Sequence, residues 1–220
     1  MSVPSCRRVV VMFVSVLFVA VFCAPLYAGV DNDWELWTGF KFKMPVNKEV
    51  SLFAYPQLRY DQDWDNFYYQ RYDVGVSYTL SPNWRVEPFY SYVEKKTTTW
   101  NQSDLFSTDL YFTQPFARNF EFENRARWEF NFDGDRQAAR ERVKVSVKLP
   151  DLKDVKLYAS EEIIYDLSNG DFKENRAGVG IQKKFESKVS VDVAYQLTSR
   201  RQAGHWEDFD TLLVVFGYTL

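Results

Sequence analysis

From Trp34 onward the chain alternates apolar and polar residues with a period of two. Trp34, Leu36, Thr38, Phe40 and Phe42 alternate with Glu35, Trp37, Gly39, Lys41 and Lys43. Val50, Leu52, Ala54, Leu58 and Tyr60 share a face, and Arg59 and Asp61 lie on the other. The pattern recurs from Tyr72 to Leu80, Trp84 to Tyr92, Asp104 to Thr113 (more weakly), Phe120 to Phe132 and Val143 to Leu149. It continues from Val155 to Tyr165, Ala177 to Ile181, Val189 to Leu197 and Leu212 to Leu220. Successive strand side chains point to opposite sides, so this alternation is the signal of a strand with one apolar face. Turn-forming residues separate the runs, among them Ser81-Pro82-Asn83, Asp133-Gly134-Asp135 and Asn169-Gly170-Asp171. No run carries the helical period. The pattern predicts one all-β unit.

The first 28 residues read differently. Arg7 and Arg8 precede an apolar run from Val9 to Phe22, broken only by Ser15, and Leu26-Tyr27-Ala28 ends in a small residue. This is the layout of a cleavable signal peptide. The predicted organisation is therefore a signal peptide over 1–28 and a barrel over 29–220. Both cysteines, Cys6 and Cys23, fall in the first segment, so the second needs no disulfide or thiol chemistry. Residues 29–220 carry 25 basic and 30 acidic side chains, a net −5.

Composition narrows the classes. Of 220 residues, 18% are aromatic and 26% charged. That is too aromatic for a disordered chain, and the acidity argues against a general nucleic-acid binder. Mean hydropathy is slightly negative, unlike that of a helical membrane protein. Two all-β readings then compete. A soluble barrel or sandwich hides its apolar face inside, whereas an outer-membrane barrel turns it to lipid. The runs are near the roughly 9–11 residues of a membrane strand. Trp34, Trp84, Tyr92, Tyr165 and Tyr218 sit near run ends, where an interfacial aromatic girdle belongs. The last run places Leu212, Val214, Phe216, Tyr218 and Leu220 on one face. Phe216, Tyr218 and Leu220 look like the C-terminal assembly signal of bacterial outer-membrane barrels, with Leu in place of the commoner terminal Phe. The expectation is a single antiparallel transmembrane β-barrel. Eleven runs are visible, but single-chain bacterial barrels close with an even number of strands. Twelve strands are therefore expected, with ten as the alternative.

Further residues carry a resemblance. These are Glu121-Phe-Glu123-Asn-Arg125-Ala-Arg127-Trp-Glu129, then Arg140-Glu-Arg142, Asn175-Arg176-Ala-Gly178-Val-Gly180 and Asp33-Trp34. Together they resemble a family of bacterial outer-membrane barrels catalogued only as a domain of unknown function. The likeness covers essentially all of residues 29–220 through short motifs. It implies a barrel and no particular activity. The chain is more loosely similar to small oligogalacturonate-type porins, which have twelve strands and basic lumens; its own interior is of more mixed sign.

The polar faces set the candidate chemistry. The expected lumen-lining residues are Arg59, Arg71, Arg85, Glu87, Glu121, Glu123, Arg125, Arg127, Glu129, Arg140, Arg142, Lys144, Glu162 and Arg176. Lys41, Glu35, Asp61, Asp73 and Asp192 share their parity. Neighbouring strands can set Arg beside Glu, giving an ion-pair ladder that fills a narrow lumen or charged rings that select solutes. The expected function is a narrow small-solute pore or a structural membrane protein rather than an enzyme. Expected partners are outer-membrane lipid, lipopolysaccharide, the barrel assembly machinery and small anionic solutes, with no nucleic acid. Two alternatives stand beside it: a secreted soluble β-barrel binding protein, and an outer-membrane hydrolase using His205, the one histidine, near Glu207, Asp208 and Asp210. Asp61, Asp63 and Asp65 have the spacing that opens a calcium loop, but Asn66 and Tyr72 stand where its glycine and distant glutamate belong. No cofactor or metal is expected.

Overall fold

A computed structural model describes residues 34–220 apart from 63, 133, 135, 136, 151, 186, 187 and 203. The predicted signal peptide, Asp33 of the family-like motif and Asp63 of the calcium-like triplet lie outside the described residues. The alternating runs are strands: β1 (Trp34–Pro45), β2 (Val50–Asp61), β3 (Asn66–Thr79), β4 (Trp84–Lys96), β5 (Trp100–Ala117) and β6 (Phe120–Asn131). They continue as β7 (Gln137–Lys148), β8 (Val155–Asp166), β9 (Asp171–Phe185), β10 (Val189–Gln202) and β11 (His205–Thr219). Each pairs antiparallel with the next, and β1 closes on β11 to complete a barrel.

The strand count corrects both the twelve strands expected and the ten held as alternative. Among the described residues the barrel has eleven. An up-and-down sheet closes with an even number only when every pair, including the last, must be antiparallel. Here the first and last strands run the same way, and the β1–β11 ladder is parallel, in register from Trp34↔Asp210 to Lys43↔Thr219. Parallel ladders satisfy their backbone groups through evenly spaced, slanted bonds at a slightly lower stability per residue. Closure therefore leaves no open edge, and the expected all-antiparallel sheet is corrected at this one seam. The start of β1 and the end of β11 consequently lie at opposite rims.

The two faces separate as the period of two dictates. Phe40, Phe42, Val74, Trp84, Trp128, Ile163, Phe216 and Tyr218 are exposed on the outer face. Glu35, Arg71, Asp73, Glu87, Asp109, Arg125, Glu129 and Arg176 are buried inside. This is the inverse of a soluble barrel. Aromatic contacts knit the outer face across strands: Phe40 stacks on Phe216 at 5.5 Å, across the parallel seam, and Trp84 meets Phe112 at 4.9 Å. Inside, two glycines make room for tyrosines on adjoining strands. A Cβ at Gly39 would lie 2.6 Å from the Tyr55 ring, and one at Gly180 would lie 2.5 Å from that of Tyr158. Phe216, Tyr218 and Leu220, the predicted assembly signal, are exposed on the outer face at the C-terminal rim.

The seam generates a test. Thr38 and Val214 are paired across β1 and β11. Thr38→Cys with Val214→Cys should cross-link efficiently with a short thiol reagent in the folded protein, while Thr38→Cys with Val193→Cys on β10 should not. Failure of the Thr38–Val214 pair to cross-link would mean that β1 and β11 are not neighbours.

Candidate functional site

The lumen falls into two parts. The part toward the rim opposite the C-terminus is filled by one continuous ion-pair network. It starts at Glu35, which accepts a hydrogen bond from the Trp37 indole at 2.8 Å and is paired with Arg200 at 3.4 Å. Arg200 donates to Glu174 at 3.0 Å, Glu174 also binds Arg176, and Arg176 donates to Glu162 at 2.8 Å. Glu162 accepts from Arg125, which lies 3.9 Å from Asp109. Arg127 grips Asp109 through two donors, at 2.5 and 2.8 Å, and Tyr111 adds a third hydrogen bond at 3.0 Å. Glu129 then gathers three guanidinium groups: Arg127 at 3.6 Å, Arg71 at 3.2 Å, and Arg140, which donates from Nε at 2.6 Å. Arg71 ends the chain on Asp73 at 2.6 Å and on the Ser91 hydroxyl at 2.9 Å. The charged side chains come from β1, β3, β5, β6, β7, β8, β9 and β10, and Ser91 from β4.

Aromatic rings fill the space between the charges. The Arg59 guanidinium lies 3.7 Å from the Trp37 ring centre and 4.2 Å from that of Tyr69. Arg176 also approaches Trp37, at 4.8 Å, so the contact runs from β9 to β1, and Arg127 lies over Phe89 at 4.9 Å. Such contacts gain when the cation is desolvated. Asp109 is only 1% exposed, and Ser91 and Ser107 are fully enclosed. In so dry a setting each charge is tolerated because it is paired, and stripping one partner away is far more costly than the pair is worth.

The other part is open. A cavity of about 380 Å³ extends from the network to the C-terminal rim, where Gly217 and Thr219 line it. Network side chains floor it, and the rest of its wall carries Lys41, Lys43, Arg59, Arg142 and Lys144 against Glu87 and Asp192, so it is basic although the chain as a whole is acidic. Lys144 and Arg142 flank Glu123 at 3.7 and 3.0 Å, and Lys41 approaches Glu87 at 3.9 Å. Tyr158 on β8 donates across β9 to Asp192 on β10 at 2.6 Å. The arrangement offers cations, hydroxyls and the Gln57, Gln182 and Gln196 carboxamides to a solute.

Of the fourteen expected lumen residues, Arg59, Arg71, Glu87, Arg125, Arg127, Arg140, Arg142, Lys144, Glu162 and Arg176 line this cavity. Arg85, Glu121, Glu123 and Glu129 stand behind it, paired respectively with Glu87 at 3.1 Å, Lys156 at 2.8 Å, Arg142 and Arg140. Asp109, Glu174 and Arg200 are members of the network that the alternation did not single out. Asp109 lies in the weakest run, and the other two lie just beyond the ends of theirs. Their parity with Tyr111, Arg176 and Thr198 would have found them.

Two of the acids near His205 have partners of their own. Asp208 accepts a hydrogen bond from Ser199 at 2.5 Å, and Asp210 accepts one from Tyr195. His205 pairs with Gln202 at the start of β11. Asp61 accepts from the Asn66 carboxamide at 2.6 Å. Among the described residues no three metal-ligating side chains come together.

The closed barrel defines a porin-like class of fold. It is similar to the NanC porin, at 10% identity and a TM-score of 0.50, over 79% of this chain and 94% of that one. It also matches the KdgM porin at 11% identity and a TM-score of 0.45, over 80% of this chain and 95% of that one. No curated protein matches the chain. Residues 34–208 match the family described as protein of unknown function (DUF2490), and the chain belongs to that family.

The network makes a quantitative prediction. Glu129→Gln leaves Arg71, Arg127 and Arg140 around a neutral group, so unfolding should cost about 3–5 kcal/mol less. Glu121→Gln breaks a half-exposed pair and should cost about 1 kcal/mol or less. Urea titration of the two variants in detergent checks the difference. Equal, small losses would show that the network is not energetically connected.

Proposed function

We propose that the chain is an outer-membrane barrel that admits small anionic solutes, with the ion-pair network as its constriction and the basic cavity as their binding vestibule. The observation that carries this reading is the excess of cations on the cavity wall outside the network, Lys41, Lys43, Arg59, Arg142 and Lys144 against Glu87 and Asp192, in a chain of net negative charge. Charged rings set ion selectivity in pores. The apolar outer face, with aromatics toward both rims, supports lipid around the barrel. In this reading Phe216, Tyr218 and Leu220 present the end of β11 to the barrel assembly machinery. The C-terminal rim faces the periplasm, the opposite rim faces lipopolysaccharide, and residues 1–28 direct export. The vestibule then opens to the periplasm. The likeness to porins supports the channel over the hydrolase and over a soluble binding protein.

Planar-bilayer recording across a potassium chloride gradient tests the function. The reversal potential should report anion preference, and Lys43→Glu with Lys144→Glu should shift it toward cations. A barrel that inserts yet neither conducts nor changes selectivity with these substitutions would reduce the network to a structural filler.

A further inference from the structure

We propose that the outer surface of β6, β7 and β8, centred on Val143, is the interface between two copies of this chain lying side by side in the membrane. The inference rests on the outer-membrane reading above. Asn124 pairs with Val143, and Val143 pairs with Glu161, so the three form one row across adjacent strands. Glu141 lies two residues along β7 on the same face. All four have outward parity, and Glu141 and Glu161 are exposed. The Asn124 carboxamide donates to Glu141.

The row is not at a rim. On β6, Phe122 lies on one side of it and Trp128 and Phe130 on the other. On β8, Leu157 lies on one side and Ile163 and Tyr165 on the other. Two carboxyl groups thus sit within the hydrocarbon band on the face that should be apolar. Ionisable groups at that depth are costly and are found facing protein or water. Acyl chains offer them no hydrogen bond, and a headgroup lies too far out.

A second copy answers these requirements. The row holds carboxamide donors at one end and a carboxyl acceptor at the other. A two-fold axis along the membrane normal sets the Asn124 side of one copy beside the Glu161 side of its partner, twice over. Such an isologous contact uses one self-complementary patch. Ala126, Ala159 and Ala177 keep the surface around the carboxyls low, which allows the close approach that membrane interfaces need.

Oxidative cross-linking of Val143→Cys in the full chain, expressed in cells and extracted from membranes, tests this. Val143→Cys should form a disulfide-linked homodimer at least tenfold more than Val74→Cys, on the outer face of β3. Adding Asn124→Leu and Glu161→Leu should lower that yield about tenfold. Equal yields at positions 143 and 74, an adduct only with a protein of different mass, or a yield indifferent to the two leucines would overturn the proposal. Heat-modifiable migration of each variant keeps the readings apart: a chain that stays soluble and unmodified by heat overturns the membrane reading itself.

Discussion

Charges turned into a narrow, closed lumen must be paired, and most of this structure follows from that requirement. The β6 sequence Glu121, Glu123, Arg125, Arg127, Glu129 supplies charges of both signs along one face. Its neighbours complete them: Arg140 and Arg142 from β7, Asp109 from β5, and Glu162 from β8. Slipping any of these strands by one residue would swing its charges onto the outer face and its aromatics inside. Within the native register Arg125 stands opposite Arg142 and Arg127 opposite Arg140, so the ion pairs run diagonally, from Arg142 to Glu123 and from Arg140 to Glu129. Buried pairs add little net stability over a well-packed apolar core, but a mismatched one is heavily penalised. The network is therefore better understood as fixing the register of the strands that carry it than as strengthening them.

The same pairing explains why the lumen differs from end to end. In the occluded part, guanidinium groups and carboxylates alternate along the network, and aromatic faces cover the gaps. Toward the C-terminal rim the acids thin out. Asp61, Asp65, Asp154 and Asp166 lie at turns and strand ends, so much of the chain's negative charge sits away from the wall. Net charge, which suggested an acidic protein, is a poor guide to what a lumen solute meets. The local sum over the inward face is the relevant quantity.

Much of this was legible from the period of two. The faces of the strands, the inward direction of Arg125 and Glu129 and the outward direction of Phe216 follow from parity alone. What failed did so for physical reasons. Strand number was drawn from a rule that holds when the closing pair is antiparallel, and the sequence has no local mark of the parallel seam. Glu174 and Arg200 lie beyond the apolar stretches that define their runs. Glu141 and Glu161 escaped because each adjoins an inward charge, Arg140 or Arg142 in one case and Glu162 in the other. Two consecutive charged residues blur the alternation, and the outward member is read as part of the polar face. Which Arg meets which Glu also depends on side-chain reach across several strands, as from Arg71 on β3 to Glu129 on β6.

An apolar filling of the lumen would cost no desolvation, so the choice of charges needs a reason beyond stability. On the membrane reading, the outer faces are committed to Phe, Val, Trp and Leu. Apolar inner faces as well would turn strands of 12 to 18 residues into continuous apolar runs. Several approach the length at which a segment is read as a membrane-spanning helix, and all would be prone to aggregate before the barrel closes. A charge at every second position interrupts each run while the chain is unfolded. After closure the same charges find partners on neighbouring strands. The ion-pair lumen thus reconciles a surface made for lipid with a chain that must first cross water, and it leaves at one end a basic cavity that an apolar filling would have erased.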